Sequence, residues 1–240
     1  MPPLLCATEH EFRPVSEVIG ELNSMTVFGL RTENGKLWGI EEEGCMIYMQ
    51  LADATRVLAK LQETYAEPLE LQPLELGTVL SESGVLVKRD GAPRITLVPS
   101  PEAKRTLRKL QAEGNFMSDI VAVPKRWRSL SEVPVFHIGP LPSRNPAGAK
   151  ELLWPLFFWA GDADQLWSEL GQEGTTRPPL QATNLGAAVA SIRDPSGALG
   201  RPVLCAPLDA VEYMRERDRQ ALSELRQAQT AEGGTSEVDR

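Results

Sequence analysis

The sequence is poor in the residues that carry most protein chemistry. It has two histidines and three cysteines in 240 residues. Cys6, Cys45 and Cys205 stand far apart, and neither His10 nor His137 lies at ligand spacing from them. A structural zinc site needs four such donors in close pairs, so no metal is expected. Cys45 and Cys205 sit inside apolar runs, where a thiol behaves as a small buried hydrophobe more often than as a disulfide partner. Long apolar runs are missing too. The longest nearly charge-free apolar run, Leu152 to Ala160, is nine residues. A membrane-spanning helix needs about twenty. Basic residues are in the minority: 25 Lys and Arg against 33 Asp and Glu, a net charge of −8. Such a balance repels phosphate backbones, so general nucleic-acid binding is not expected.

Catalytic motifs are equally scarce. Gly171-Gln172-Glu173-Gly174 and Gly197-Ala198-Leu199-Gly200 lack the spacing and the lysine of a phosphate loop. There is no Gly-x-Ser-x-Gly elbow. A Ser–His or Cys–His mechanism would need His10, which precedes the first predicted element, or His137, at a strand end. The run Glu41-Glu42-Glu43 reads as a solvated turn. Catalysis through His137, in a cleft between the two halves of the chain, is one reading of this inventory. A chain with no enzymatic role and no cofactor is the simpler one.

Organisation is what the sequence does have. Thr26-Val27-Phe28 is echoed 108 residues later by Pro134-Val135-Phe136. Ile47 to Ala54 lines up with Leu156 to Ala163 at an offset of 109, Leu76-Gly77 with Leu185-Gly186 at 109, and Pro99 with Pro207 at 108. Four blocks in order at a nearly constant offset point to a duplicated unit. The boundaries read as an N-terminal segment and helix (1–24), a first repeat (25–113), a linker (114–132), a second repeat (133–217), and a helix extension with a frayed tail (218–240). The expected class is α+β: two pseudo-symmetric β-rich repeats with packed helices, forming one compact unit. An N-terminal helix follows Pro14, and a long, mostly charged C-terminal helix runs on from Leu208.

Each repeat is predicted to open on a strand (Thr26 to Leu30; Val133 to Ile138) followed by a turn-rich stretch. In the first repeat Asn34-Gly35 signals a tight hairpin; in the second, Pro140 to Gly148 reads as a longer loop. A strand buried on both faces comes next (Cys45 to Gln50; Leu153 to Trp159). An amphipathic helix follows, marked by Leu51, Ala54, Leu58, Leu61 and Tyr65, or by Ala163, Leu166, Trp167 and Leu170. Asp53 and Asp162 fall in the first turns of these helices, where a carboxylate meets unpaired amides. Their catalytic use is the sharper alternative. A short strand and a helical turn precede a predicted hairpin, Val85 to Val87 with Ile95 to Val98 around Asp90-Gly91, and its looser partner between Ile192 and Val203. Ser100 and Pro101 open the closing helix of the first repeat.

Surface chemistry is concentrated in aromatics. Trp154, Phe158 and Trp159 crowd one strand, and Trp38 lies in the first hairpin. Trp159 aligns with Gln50, so its position need not be buried. These four residues are the candidates for contact with a protein client or partner, the alternative being that the strand's rings are core. Lys125-Arg126-Trp127-Arg128 suits either a peripheral contact with anionic lipid or phosphate, or a solvated loop whose ring tucks inward.

The order of these features resembles the 22-kDa component of the translocon at the inner chloroplast envelope (the Tic complex), a family with cyanobacterial and apicoplast members. The resemblance rests on Val133-Pro134-Val135-Phe136, on Pro155-Leu156-Phe157-Phe158 followed by Asp162-Ala163, and, in the first half, on Val27-Phe28, Asp53-Ala54 and Leu97-Val98-Pro99. It implies a non-enzymatic plastid import factor of the intermembrane space or stroma. Such a protein would escort precursors in a chaperone-like way alongside translocon subunits, and its targeting sequence would be absent from this chain. A second expectation is a structural or assembly subunit docked on a large plastid or thylakoid complex through residues 140–150 and the long final helix.

Overall fold

The computed structural model describes residues 12–40, 44–65, 67–117, 125–144, 148, 150–170, 176–194 and 201–233. The class is α+β. In chain order the elements are α1 (Val15–Leu22), β1 (Thr26–Thr32), β2 (Gly39–Ile40), β3 (Gly44–Tyr48), α2 (Leu51–Thr64), β4 (Leu69–Glu75), α3 (Leu76–Glu82), β5 (Ile95–Val98) and α4 (Pro101–Ala112). A 3-10 helix over Lys125–Glu132 leads to β6 (Pro134–His137), β7 (Leu141–Arg144), β8 (Lys150–Phe157), α5 (Ala160–Glu169), β9 (Gln181–Asn184), α6 (Leu185–Arg193), β10 (Arg201–Cys205) and α7 (Leu208–Gly233).

The strands form two five-stranded sheets. The first has the order β2-β3-β1-β4 with β5 on β3; the second has β10-β8-β6-β9 with β7 on β8. In the first, β3 runs antiparallel to β1, with Phe28 opposite Tyr48, and parallel to β5, with Cys45 opposite Ile95. In the second, Phe136 of β6 faces Phe157 of antiparallel β8, and β10 lies parallel to β8.

Period-two alternation sends neighbouring residues of these strands to opposite faces. Val27, Ile47 and Met49 of the first sheet, with Val135, Leu156 and Phe158 of the second, enter one central core. It is completed by Leu22 of α1, Leu76 and Leu80 of α3, Leu185 and Val189 of α6, and Trp127 of the 3-10 helix. Trp127 is 1% exposed, so the ring of the basic cluster is core and is not available to a membrane or a phosphate.

The opposite faces are covered by crossing helices. Phe28, Leu30 and Tyr48 are covered by α2, through Ala54, Val57, Leu58 and Leu61, and by α7, through Ala210 and Tyr213. The Tyr213 ring meets Phe28 edge to face at 5.7 Å. On the second sheet, Phe136 and Ala182 lie under Ala103, Leu107 and Leu110 of α4, while Phe157 packs on Ala163, Leu166 and Trp167 of α5. Each closing helix therefore covers the sheet of the other half: α4 the second, α7 the first.

Three expectations are corrected. Val85 to Val87 is not a strand, and β5 has no hairpin partner there. The amides of Val85 and Leu86 both donate to the Leu80 carbonyl, closing the end of α3, so they are spent before a ladder can form. Leu86 then drops into the core. In the second half Ile192 belongs to α6, and β10 pairs in parallel with β8 instead of forming a hairpin. The predicted loop at 140–148 contains β7, whose Leu141 faces Leu153 and packs beside Ile138 and Phe157. The Asn34-Gly35 turn is present, with Gly35 at φ 77° and Trp38 donating its amide to Leu30. Cys45 and Cys205 are free thiols. His10, Glu41 to Glu43 and both glycine-rich stretches lie outside the described residues.

Candidate functional site

Four helices begin close together: α2 at Leu51, α4 at Pro101, α5 at Ala160 and α7 at Leu208. Each start presents unpaired amides and the positive end of a helix dipole. Each also carries one carboxylate in its first turn: Asp53, Glu102, Asp162 and Asp209. Asp209 reaches across to α2, where its Oδ2 accepts the Leu51 amide at 3.1 Å. The α4 start is capped locally, Ser100 Oγ accepting the Ala103 amide at 3.0 Å.

Between these starts lies a cleft of about 290 Å³. Gln50, Ala52, Glu102, Trp159, Asp162, Gln165, Leu208 and Asp209 line it. That is three carboxylates, two amides and one indole, with no cation. Gly161 lets the indole fold back over the start of α5. A Cβ there would lie 2.7 Å from two atoms of the Trp159 ring.

The two buried aspartates differ in partners. Asp53 forms an ion pair with Arg56, three residues on in α2. Burial raises the Asp53 pKa; Arg56 pulls it back, while Asp209 and Glu102 push it further up. Asp162 is 4% exposed and lacks such a partner. Neither of its oxygens makes a hydrogen bond. Burial raises its pKa from 3.8 to about 6; the nearby Leu208 amide counteracts this without reaching hydrogen-bond geometry, and Asp209 adds to it. The residue three on from Asp162 is Gln165, whose Nε2 donates to Glu169 at 2.8 Å.

The other sequence candidates scatter. Trp159 alone lines the cleft. Trp154 is half-buried against the His137 ring, centroids 5.4 Å apart. Trp38 is half-buried and meets Tyr65 edge to face at 6.4 Å. Phe158 is 3% exposed in the central core and has no surface to offer a partner. His137 does not sit in a cleft between the halves. It is 0% exposed, its Nδ1 accepts the Gly139 amide at 3.3 Å, and burial lowers its pKa to about 4. The imidazole is thus neutral and sealed from any substrate. Burial also lifts the Cys205 thiol to about 11, far from a reactive thiolate. Among the described residues no group of three or more His, Cys, Asp or Glu could hold a metal ion, and no helix is long and apolar enough to cross a membrane. Sequence reasoning missed Glu102, Gln165 and Asp209. A usable signal was present in the helix-start carboxylates and in Arg56 aligning with Gln165 at the repeat offset.

No protein-family model matches the chain, and no curated protein matches it in sequence. Solved structures do. The chain is similar to Anabaena Tic22, described as a protein-transport protein, with a TM-score of 0.60 at 16% identity over 85% of this chain and 97% of that one. It is also similar to Tic22 from Plasmodium falciparum, with a TM-score of 0.58 at 16% identity over 87% of this chain and 99% of that one. The fold is shared along nearly the whole of both proteins. It is the fold of the family that the sequence resembles.

Proposed function

We propose that the chain is a non-enzymatic protein-import factor of the Tic22 kind, which binds precursor proteins in a chaperone-like way at the plastid envelope. The observation that carries this reading is the backbone likeness to Anabaena Tic22 across 97% of that protein. The sealed, neutral His137 supports the non-enzymatic part. Contact with clients falls to the partly accessible indoles of Trp38, Trp154 and Trp159. Strand addition at the edge strands β4 and β10 offers a complementary mode. Its place would be the intermembrane space or the stromal side of the envelope, with precursors and translocon subunits as partners. The corresponding orders of the two sheets support a duplicated ancestry for the halves.

One observation favours the alternative of an assembly subunit. Residues 215–224 of α7 are exposed throughout, a solvated helix suited to docking on a larger complex. Two measurements separate the readings. An import factor delays the aggregation of an unrelated unfolded protein and cross-links in isolated plastids to translocon subunits and assorted precursors. No delay, with one set of partners at fixed stoichiometry, would refute the import reading and support the scaffold.

A further inference from the structure

The cleft at the four helix starts lacks a cation that its own architecture calls for. In α2, Asp53 is followed three residues later by Arg56, and the two are paired. In α5, at positions 109 residues on, Asp162 is followed at the same spacing by Gln165. A neutral amide thus stands where the other half has a guanidinium, and it turns away to Glu169. Asp162 is left 4% exposed, both oxygens without a hydrogen bond, on the wall of a cleft that Glu102 and Asp209 share. A buried carboxylate in that state is costly unless something pairs with it. The Trp159 indole completes the wall, and an aromatic face attracts a cation.

We propose that this cleft receives one lysine or arginine side chain of a bound, extended polypeptide, which supplies to Asp162 the positive charge that Arg56 supplies to Asp53. Its size fits this occupant: about 290 Å³ lies at the lower end of ligand pockets, enough for a side chain. The inference rests on the client-binding reading and names its chemistry. Targeting segments for plastids are Arg-rich and poor in acids, so such clients carry the required group.

The test uses the full chain and short fluorescein-labelled peptides of Ser, Ala and Leu that carry either a single Arg or its neutral isostere citrulline. Fluorescence anisotropy reads the affinities. The Arg peptide should bind about tenfold more tightly than the citrulline peptide, as expected for charge-assisted hydrogen bonds. Asp162→Asn should erase that preference. Gln165→Arg, which restores the missing cation in cis, should erase it too, and its melting temperature should not fall below that of the wild type. Equal affinity of the wild type for both peptides would overturn the inference and leave client binding standing. A preference that survives in Asp162→Asn would overturn the location. If free N-acetyl-arginine amide competes as strongly as the Arg peptide, the cleft is a small-cation site and the polypeptide occupant is wrong. If neither peptide binds, the client-binding reading falls together with the inference.

Discussion

Replacing Asp162 with Asn should stabilise the unliganded protein at neutral pH. Two effects compete at this carboxylate. Its place in the first turn of α5 favours the charged form, typically by about 0.3–1 kcal/mol and up to about 2. Burial without a partner disfavours it, and the pKa near 6, against an ordinary 3.8, says that burial wins. At about 1.36 kcal/mol per unit the full shift corresponds to about 3 kcal/mol. Solvent in the adjoining cleft screens part of this, leaving about 1–2 kcal/mol. The sign follows from proton binding. The folded state holds this proton more tightly than the unfolded state, so ionisation is penalised above about pH 6, and the penalty fades as pH falls toward 3.8. The Asn variant should therefore melt about 2–8 °C higher than wild type near pH 7.5, taking about 2–4 °C per kcal/mol for a chain of this size. Near pH 4 the two melting curves should almost coincide. Differential scanning fluorimetry across that range reads both. A variant that melts lower than wild type at pH 7.5 would mean that Asp162 acts as an ordinary stabilising cap, and a gap that ignores pH would mean that ionisation of Asp162 is not its source.

Three further outcomes follow from the geometry. Gly161→Ala places a methyl group within about 2.7 Å of the Trp159 ring and should swing the indole into solvent. Tryptophan emission should shift to the red and acrylamide quenching should rise, and an unchanged spectrum would contradict the packing. Ser100→Ala removes the cap of α4 and should cost about 1 kcal/mol, seen as a melting temperature lower by about 2–4 °C. His137 works in the opposite sense to Asp162. Its folded pKa near 4 lies below the ordinary 6.5, so its contribution is present above about pH 6.5 and is lost as pH falls toward 4. His137→Gln should flatten that part of the acid unfolding curve; a curve of undiminished slope would place the titration elsewhere.

Much of the fold was legible because local and global preferences agree. The stripes of α2, α4 and α5 sit at helical spacing, and Gly35 of the Asn34-Gly35 pair takes the left-handed backbone (φ 77°) that glycine adopts at little cost. The misreadings share a cause. Val85 and Leu86 have strand-like side chains, but their amides are committed to the end of α3, and a backbone commitment of that kind leaves no mark on the apolar pattern. Leu141 reads as loop because its neighbours are prolines and polar residues, yet β8 offers it a partner and a packed site. The site was half visible. Asp162 and Trp159 were singled out one by one, for capping and for exposure. Their convergence with Glu102 and Asp209 depends on how α4 and α7 cross between the halves, which no periodicity encodes. Phe158 shows the limit from the other side. An aromatic crowd on one strand reads alike whether it is core or surface, and here the strand's alternation sends it inward.

The exchange of α4 and α7 has a consequence for how such a chain must be made and how it can be broken. Neither half can finish its own surface: cut between residues 117 and 125, each fragment would show a partly uncovered sheet face and an orphaned amphipathic helix. On the ribosome the first half would have to wait for the last helix to emerge before its outer face closed. Unfolding, conversely, should proceed in a single step, because releasing either clasp strips the sheet it holds.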